Sequence, residues 1–151
     1  MSSTEYITLK IGGQLFGAAV SDIHDVFAPT SITPVPLGPP EVAGVLNLRG
    51  RIVTAVDSRA RLGLPARDPE ASVMAIGIEL GNESFGLLID EVGEVMRLKD
   101  DEREEVPTNL DPVWAQIASG VYRLEKELLV ILQIGKILSF ATDNEADRAA
   151  A

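Results

Sequence analysis

The chain has 151 residues, of which 46% are hydrophobic and 24% are charged, with no cysteine and a formal net charge of −10 at pH 7. This length and apolar fraction fit one compact unit or two very small ones, and they exclude a disordered chain. The acidic charge argues against nucleic acid or an anionic membrane surface as a partner, and the absence of cysteine excludes disulfides and thiolate metal sites. No apolar run approaches the ~18 residues that span a bilayer, so no membrane insertion is predicted.

The N-terminal half begins with regular alternation of apolar and polar residues. Residues 5–11 alternate and predict a half-buried strand. Gly12 and Gly13 form a hairpin-turn signal, after which residues 15–20 continue as the return strand. Residues 21–27 fit either a strand or a single turn.

A second pair of strand-like runs follows a proline-rich stretch. Residues 29–40 contain five prolines and predict an extended, irregular crossover. An apolar segment then runs into Asn47-Leu48-Arg49-Gly50, and a β-branched run over residues 52–56 stops at Asp57. A glycine at the bend and an arginine beside it, between two strands, place a guanidinium at a fixed point on a rigid sheet. With no nucleophile or metal-ligand cluster nearby, this charge indicates a surface that holds a partner.

The chain also repeats itself. Residues 7–27 align without gaps on residues 76–96, and residues 44–62 align on residues 120–138. The identical residues that carry the repeat most clearly are Gly12 and Gly81, Phe16 and Phe85, Gly17 and Gly86, Gly44 and Gly120, and Val45 and Val121. The repeat predicts that Phe16 and Phe85 occupy equivalent places, each in or beside a core.

The second half adds a charged loop and short helical turns. Residues 99–105 are a run of charged side chains and predict a solvated loop. Asp111 followed by Pro112 is a plausible helix start, residues 128–132 are a buried strand by composition, and residues 136–140 suit a helical turn. About ten short strands with glycine and proline turns indicate an all-β sandwich or barrel.

Few residues suit catalysis. On a strand, Asp90 and Glu91 point to opposite faces, as do Glu91 and Glu94, so a matched carboxylate pair is not expected. His24 is the single histidine and lacks a nucleophile elbow, and no phosphate-binding glycine loop is present. Trp114 is predicted to anchor the core or a seam. We therefore predict no catalytic residue, no metal site and no cofactor.

Arg49 has two interpretations. A planar guanidinium with five donors suits the carboxylates and carbonyls of a partner. The same group also suits an internal tie to Asp57 or to a turn carbonyl. The residues by themselves favour neither interpretation, whereas Gly44 and Gly50 are expected to serve backbone shape rather than contact.

These motifs resemble the bacterial chemotaxis coupling proteins of the CheW family, over about residues 5–140. The resemblance rests on residues 44–50 with Val56, Asp57 and Arg59, on residues 85–92 with Glu94 and Val95, and on Gly120-Val121 followed by residues 128–132. It implies two similar five-stranded SH3-like barrels packed side by side in a single domain over residues 1–140. The first barrel is expected at about residues 6–64, the second at about residues 73–140, and a flexible tail at residues 141–151. The first strand is compatible with either barrel.

The resemblance also implies a cytoplasmic adaptor without catalysis that couples membrane chemoreceptors to a histidine kinase. The expected partners are the kinase regulatory domain and the tip of a methyl-accepting receptor, and the isolated chain is expected to be a monomer. The residues expected at these contacts are Ile23, Asp25, Asn47, Arg49, Val92 and Glu94, with Arg49 foremost. Two alternatives stay open: a coupling protein of a twitching-motility or other non-flagellar chemosensory pathway, and an acidic-site hydrolase on a β-barrel.

This chain departs from the residues usual in the family at several positions. Asp25 stands where a longer glutamate is common, and Thr54 where proline is common. Ser58 replaces an apolar residue and Gln133 an acidic one. The fold is expected to tolerate these changes, and the question they raise is whether the partner surface of the first half is the usual one.

Overall fold

A computed structural model describes residues 2–36 and 38–138, over which the chain forms ten strands and three short α-helices. The strands are β1 (Ser3–Ile11), β2 (Gln14–Ala19), β3 (Asp25–Phe27), β4 (Val42–Leu48), β5 (Arg51–Asp57), β6 (Met74–Leu80), β7 (Glu83–Ile89), β8 (Glu91–Lys99), β9 (Ala118–Arg123) and β10 (Leu128–Leu132). The helices are α1 (Ser58–Arg61), α2 (Pro112–Ile117) and α3 (Ile134–Ile137). The predicted tail at residues 141–151 and the end of the predicted turn at 136–140 lie outside the described residues.

The strands form two five-stranded sheets, which confirms the all-β prediction of two similar SH3-like barrels. One sheet has the order β3-β6-β7-β5-β4, and we call it the middle barrel because its strands are contiguous in the chain over residues 25–89. The other has the order β8-β1-β2-β10-β9, and we call it the N/C barrel because it combines residues 3–19 with residues 91–132. The first strand thus belongs to the N/C barrel.

The two sheets do not follow the expected division at residues 6–64 and 73–140. Each sheet combines the first hairpin of one repeat with the last three strands of the other repeat. A hairpin needs a loop of at least about two residues, but only Asp90 separates β7 from β8. Strand β8 therefore cannot fold back on β7, and it pairs instead with β1 of the other barrel.

The repeat is confirmed by the strand register. In the parallel pair of β2 and β10, Phe16 lies opposite Val130, and in the parallel pair of β5 and β7, Phe85 lies opposite Thr54. These are the positions that the sequence repeat equates. The stretch at residues 21–27, expected as a strand or a turn, contains both, since a 3₁₀ turn over Val20–Asp22 leads into β3.

The core formed by residues 2–36 and 38–138 has three parts. Alternate residues of each sheet face a central cluster shared by both barrels, whereas the residues between them face the interior of their own barrel. On β7, for example, Phe85 and Leu87 belong to the central cluster and Leu88 to the middle barrel's interior. Trp114 fulfils the predicted seam role, because its ring lies 5.3 Å from that of Phe16 and its Nε1–H donates to Leu62 O at 3.0 Å.

One pair of glycines shared by the two repeats, Gly44 and Gly120, marks close backbone approaches. Thr33 of the crossover pairs with Val45 beside Gly44, and Glu104 pairs with Val121 beside Gly120. A Cβ atom on Gly44 would overlap the Thr33 carbonyl, and a Cβ atom on Gly120 would lie 3.0 Å from Glu104 O. The crossover segment of each repeat is therefore laid against a strand at a point where a side chain would not fit. Among the described residues, no helix is long and apolar enough to cross a membrane.

Candidate partner-binding site

Arg49 lies at the tip of the tight turn between β4 and β5. Leu48 and Arg51 pair across the turn, and Arg49 and Gly50 both have positive φ, +54° and +84°. This combination is typical of a two-residue hairpin of type I′. The Asn47 side chain braces the turn, since its Oδ1 accepts a hydrogen bond from Gly50 N at 2.9 Å.

The geometry of Arg49 does not support an internal tie. Its side chain is 80% exposed, and its Nη1 lies 3.9 Å from Asp25 Oδ2. An exposed pair at this distance contributes about 0–1 kcal/mol to stability. Asp57, the other suggested partner, instead caps α1 by accepting from Arg59 N at 3.0 Å. A non-glycine residue in left-handed backbone carries strain, and such strain is concentrated at functional sites. Arg49 is therefore displayed outward at a structural cost.

Asp25 owes its position to a glycine on the neighbouring strand. Asp25 of β3 lies opposite Gly77 of β6, and a Cβ atom on Gly77 would overlap the Asp25 carboxylate. The missing side chain thus leaves room for the carboxylate to lie across β6. Sequence reasoning did not single out Gly77, because which residue faces Asp25 depends on the pairing of distant strands.

A cleft of about 240 Å³ lies beside this turn, between β3, β6 and the β4–β5 corner. Its apolar lining includes Phe27, Leu48, Val53 and Phe85, and its polar lining includes His24, Asp25, Arg49, Arg51 and Glu79. Arg51 pairs with Glu79 and also donates to Ser84 Oγ at 2.8 Å, and the hydrogen bond from Arg51 lowers the pKa of Glu79. An apolar floor inside a charged rim matches the anatomy of a protein–protein interface.

The predicted contact residues fall into two groups. Asp25 and Arg49 line the cleft, and Asn47 shapes the turn beside it. Ile23 and Val92 lie elsewhere, partly buried against the central cluster that joins the barrels. Glu94 is exposed on β8 two residues beyond Val92. We call Ile23, Val92 and Glu94 the seam group, and the structure does not bring this group into the cleft.

The Asp90 carboxylate is largely buried and engaged by several hydrogen-bond donors. Its side chain is 18% exposed and accepts from Arg59 at 3.0 and 2.6 Å, from Arg67 at 2.8 Å and from Gly12 N at 2.8 Å. Burial by itself would raise the pKa of Asp90, but the hydrogen bonds from the two arginines and from the Gly12 N–H hold it well below its usual value. A carboxylate so occupied cannot exchange protons with a substrate near neutral pH.

Among the described residues, no group of three or more histidine and acidic side chains could hold a metal ion. The His24 side chain is 58% exposed, with its Nε2 4.0 Å from Glu79 Oε1.

We expect Gly77→Ala to disturb the cleft without altering either charged residue. The new methyl group must displace the Asp25 carboxylate, at a cost of about 1–3 kcal/mol in unfolding free energy. The control is Gly135→Ala in α3, where a Cβ atom meets nothing within 4 Å. Urea unfolding of both variants measures the difference. Equal stability of the two variants would show that Asp25 does not occupy the space above Gly77.

Comparison with known proteins identifies the family. A CheW-like domain model matches residues 5–141 of the chain. The probable chemotaxis protein CheW of Rhizobium etli is 28% identical over 94% of this chain and 91% of the relative. The chemotaxis protein CheW of Thermotoga maritima is 29% identical over 93% of this chain and 91% of the relative.

A solved structure agrees in fold. The scaffolding protein TtCheW from Thermoanaerobacter tengcongensis superposes with a TM-score of 0.77 at 24% identity, covering 87% of this chain and 89% of that protein. The family match extends over both barrels and includes the displayed arginine turn and the seam group. The chain therefore belongs to the family of CheW-like domain proteins.

Proposed function

We propose that this protein is a non-catalytic adaptor of bacterial chemotaxis, which couples the tips of chemoreceptors to a histidine kinase in the cytoplasm. Family membership over nearly the whole chain and chemotaxis relatives that align end to end support this proposal. The observation that carries it is Arg49, an exposed guanidinium held in strained backbone beside an apolar cleft. Such a residue costs stability and is explained by contact with a partner.

The two groups of residues suit two different contacts. The cleft lies at one end of the middle barrel, and we assign it to the regulatory domain of the kinase, docked end to end. Ile23 and Val92 of the seam group pack against the central cluster that joins the barrels, Glu94 is exposed two residues further along β8, and we assign this group to the helical tip of the receptor. We expect each contact to be near micromolar, about −8 kcal/mol, and to gain strength when many copies are held in an array. The isolated chain is expected to be a monomer.

The alternative of a hydrolase gains no support from the carboxylates. Asp90 is fully engaged by two guanidiniums, and Glu91 and Glu94 are exposed on a surface strand. A hydrolase needs a carboxylate that is free to move a proton inside a desolvated site. The relatives that align with the chain are named as chemotaxis proteins, which favours that pathway over twitching motility.

Arg49→Ala tests the proposal. The side chain is exposed and loosely paired, so the unfolding free energy should change by no more than about 0.5 kcal/mol. Binding to the kinase regulatory domain should weaken by about 1–2 kcal/mol or more, as for an arginine at an interface. Calorimetric titration and thermal melting of the same preparation separate the two effects.

Arg123→Ala is the matched control, since Arg123 is 78% exposed and pairs with Glu104 at 2.9 Å on the other barrel. Its removal should leave kinase affinity unchanged. If Arg49→Ala instead lowered stability by more than about 2 kcal/mol with affinity intact among folded molecules, Arg49 would be an internal tie after all.

A further inference from the structure

The chain passes from the middle barrel to the N/C barrel at a single residue. Strand β7 ends at Ile89 and β8 begins at Glu91, so Asp90 is the entire connection. Its backbone N–H donates to Lys10 O at 3.1 Å, and its carboxylate Oδ2 accepts from Gly12 N at 2.8 Å. Both of these groups belong to the β1–β2 hairpin of the N/C barrel.

The same carboxylate is held from the other side by the middle barrel. Arg59 of α1 donates from Nε at 3.0 Å and from Nη2 at 2.6 Å, and Arg67 donates from Nε at 2.8 Å. Both arginine side chains are largely buried, 20% and 11% exposed. Charge-assisted and bidentate bonds of this kind are short, strong and directional, and burial reduces their screening by salt.

An apolar contact accompanies the hydrogen bonds. Gly12 has φ of +60°, and a Cβ atom on it would lie 2.8 Å from Leu64 Cδ1 of the middle barrel. The hairpin tip of one barrel is therefore seated against the segment that follows α1 of the other. The central cluster also joins the barrels, but apolar contact is non-directional and does not by itself fix an angle.

The arrangement occurs in one repeat and not in the other. The repeat equates Asp90 with Ser21 and Gly12 with Gly81. Ser21 is exposed and carries no charge, and a Cβ atom on Gly81 would meet nothing within 4 Å. The internal symmetry of the fold thus does not require the Asp90 contacts. They are present where the chain connects the barrels at Asp90 and have no counterpart at the equivalent position, Ser21.

We propose that Asp90 is a positioning residue that fixes the relative orientation of the two barrels, and with it the surface formed by the seam group. Val92 follows Asp90 by two residues on β8, and Ile23 reaches the central cluster from the segment between the 3₁₀ turn and β3. A rotation of one barrel against the other would therefore separate these residues. The consequence for receptor binding rests on the proposed function, whereas the orientation of the barrels does not.

The test uses Asp90→Asn, which keeps the size of the side chain and removes its charge. Because the chain has no cysteine, spin labels can be placed by Asn82→Cys in the middle barrel and Glu125→Cys in the N/C barrel, both exposed. Pulsed electron paramagnetic resonance then reports the distance between the barrels. The control pair, Asn82→Cys with Val26→Cys, lies within the middle barrel.

We expect Asp90→Asn to shift or broaden the distance between barrels by more than the width of the parent's distribution, and to leave the control pair unchanged. An unchanged distance between barrels would overturn the proposal, and so would equal broadening of both pairs, which would mean general loosening. If Asp90→Asn does not fold, Arg67→Gln removes one of the two cations. It should shift or broaden the distance between the barrels in the same way, but by less, and leave the control pair unchanged. Altered distances with unchanged affinity for a receptor-tip peptide would leave the orienting role intact and overturn the receptor contact at the seam.

Discussion

Phe16→Ala and Phe85→Ala are each expected to lower the unfolding free energy by about 3–5 kcal/mol, the range found for buried aromatic side chains. The two rings are 0% and 1% exposed and lie on the faces that the barrels share. Truncation at either position therefore opens a cavity in the central cluster and weakens both barrels together. Phe16 should be the more costly of the two, because it also loses the ring of Trp114 at 5.3 Å.

Denaturant unfolding of both variants measures these losses. Val95→Ala is the control, because Val95 is 52% exposed on β8 and should change stability by no more than about 0.5 kcal/mol. If one phenylalanine proved as tolerant as Val95, the two positions would not be equivalent. The two structurally equivalent phenylalanines would then contribute differently to the unfolding free energy.

Gly44→Ala is expected to be nearly as damaging, at about 3 kcal/mol or more, because strain and overlap add. Gly44 has φ of +153°, and its Cβ position is occupied by the carbonyl of Thr33. The substitution must therefore push the crossover segment off β4 and break the pairing of Thr33 with Val45.

Gly50→Ala measures the cost of backbone strain at positive φ without any steric overlap. Gly50 also has positive φ, +84°, but nothing lies within 4 Å of its Cβ position. Its replacement should cost only about 1 kcal/mol, the usual price of left-handed backbone for alanine. Thermal melting of the two variants gives the comparison, and similar losses would mean that Thr33 does not press on Gly44.

The sequence was sufficient for the features that depend on local patterns. The alternation at β1, the glycine turns and the paired phenylalanines predicted the strands, the hairpins and the repeat. The Asn47-to-Gly50 motif predicted a tight turn that fixes the guanidinium in place and left open whether it faces a partner or an internal acceptor, and the structure shows Arg49 exposed at the tip of a type I′ turn. In each case, residues close together in the chain determine the conformation.

Features that depend on pairing between distant segments could not be predicted. The exchange of hairpins between repeats follows from which strand edges meet, and alternation does not report this. The role of Gly77 depends on its lying opposite Asp25, and the role of Asp90 on the convergence of groups at Gly12, Arg59 and Arg67. Such convergence leaves no periodic trace in the sequence.

The contiguity of the middle barrel has a consequence for synthesis on the ribosome. All five of its strands have emerged once residue 89 is out, whereas the β1–β2 hairpin must wait for β8, β9 and β10. Chains fold as they are made, and earlier units fold first. We therefore expect the nascent protein to pass through a stage in which the middle barrel is formed and its half of the central cluster, Phe85 included, faces solvent. During that interval the chain would present an apolar surface to chaperones that the finished protein buries.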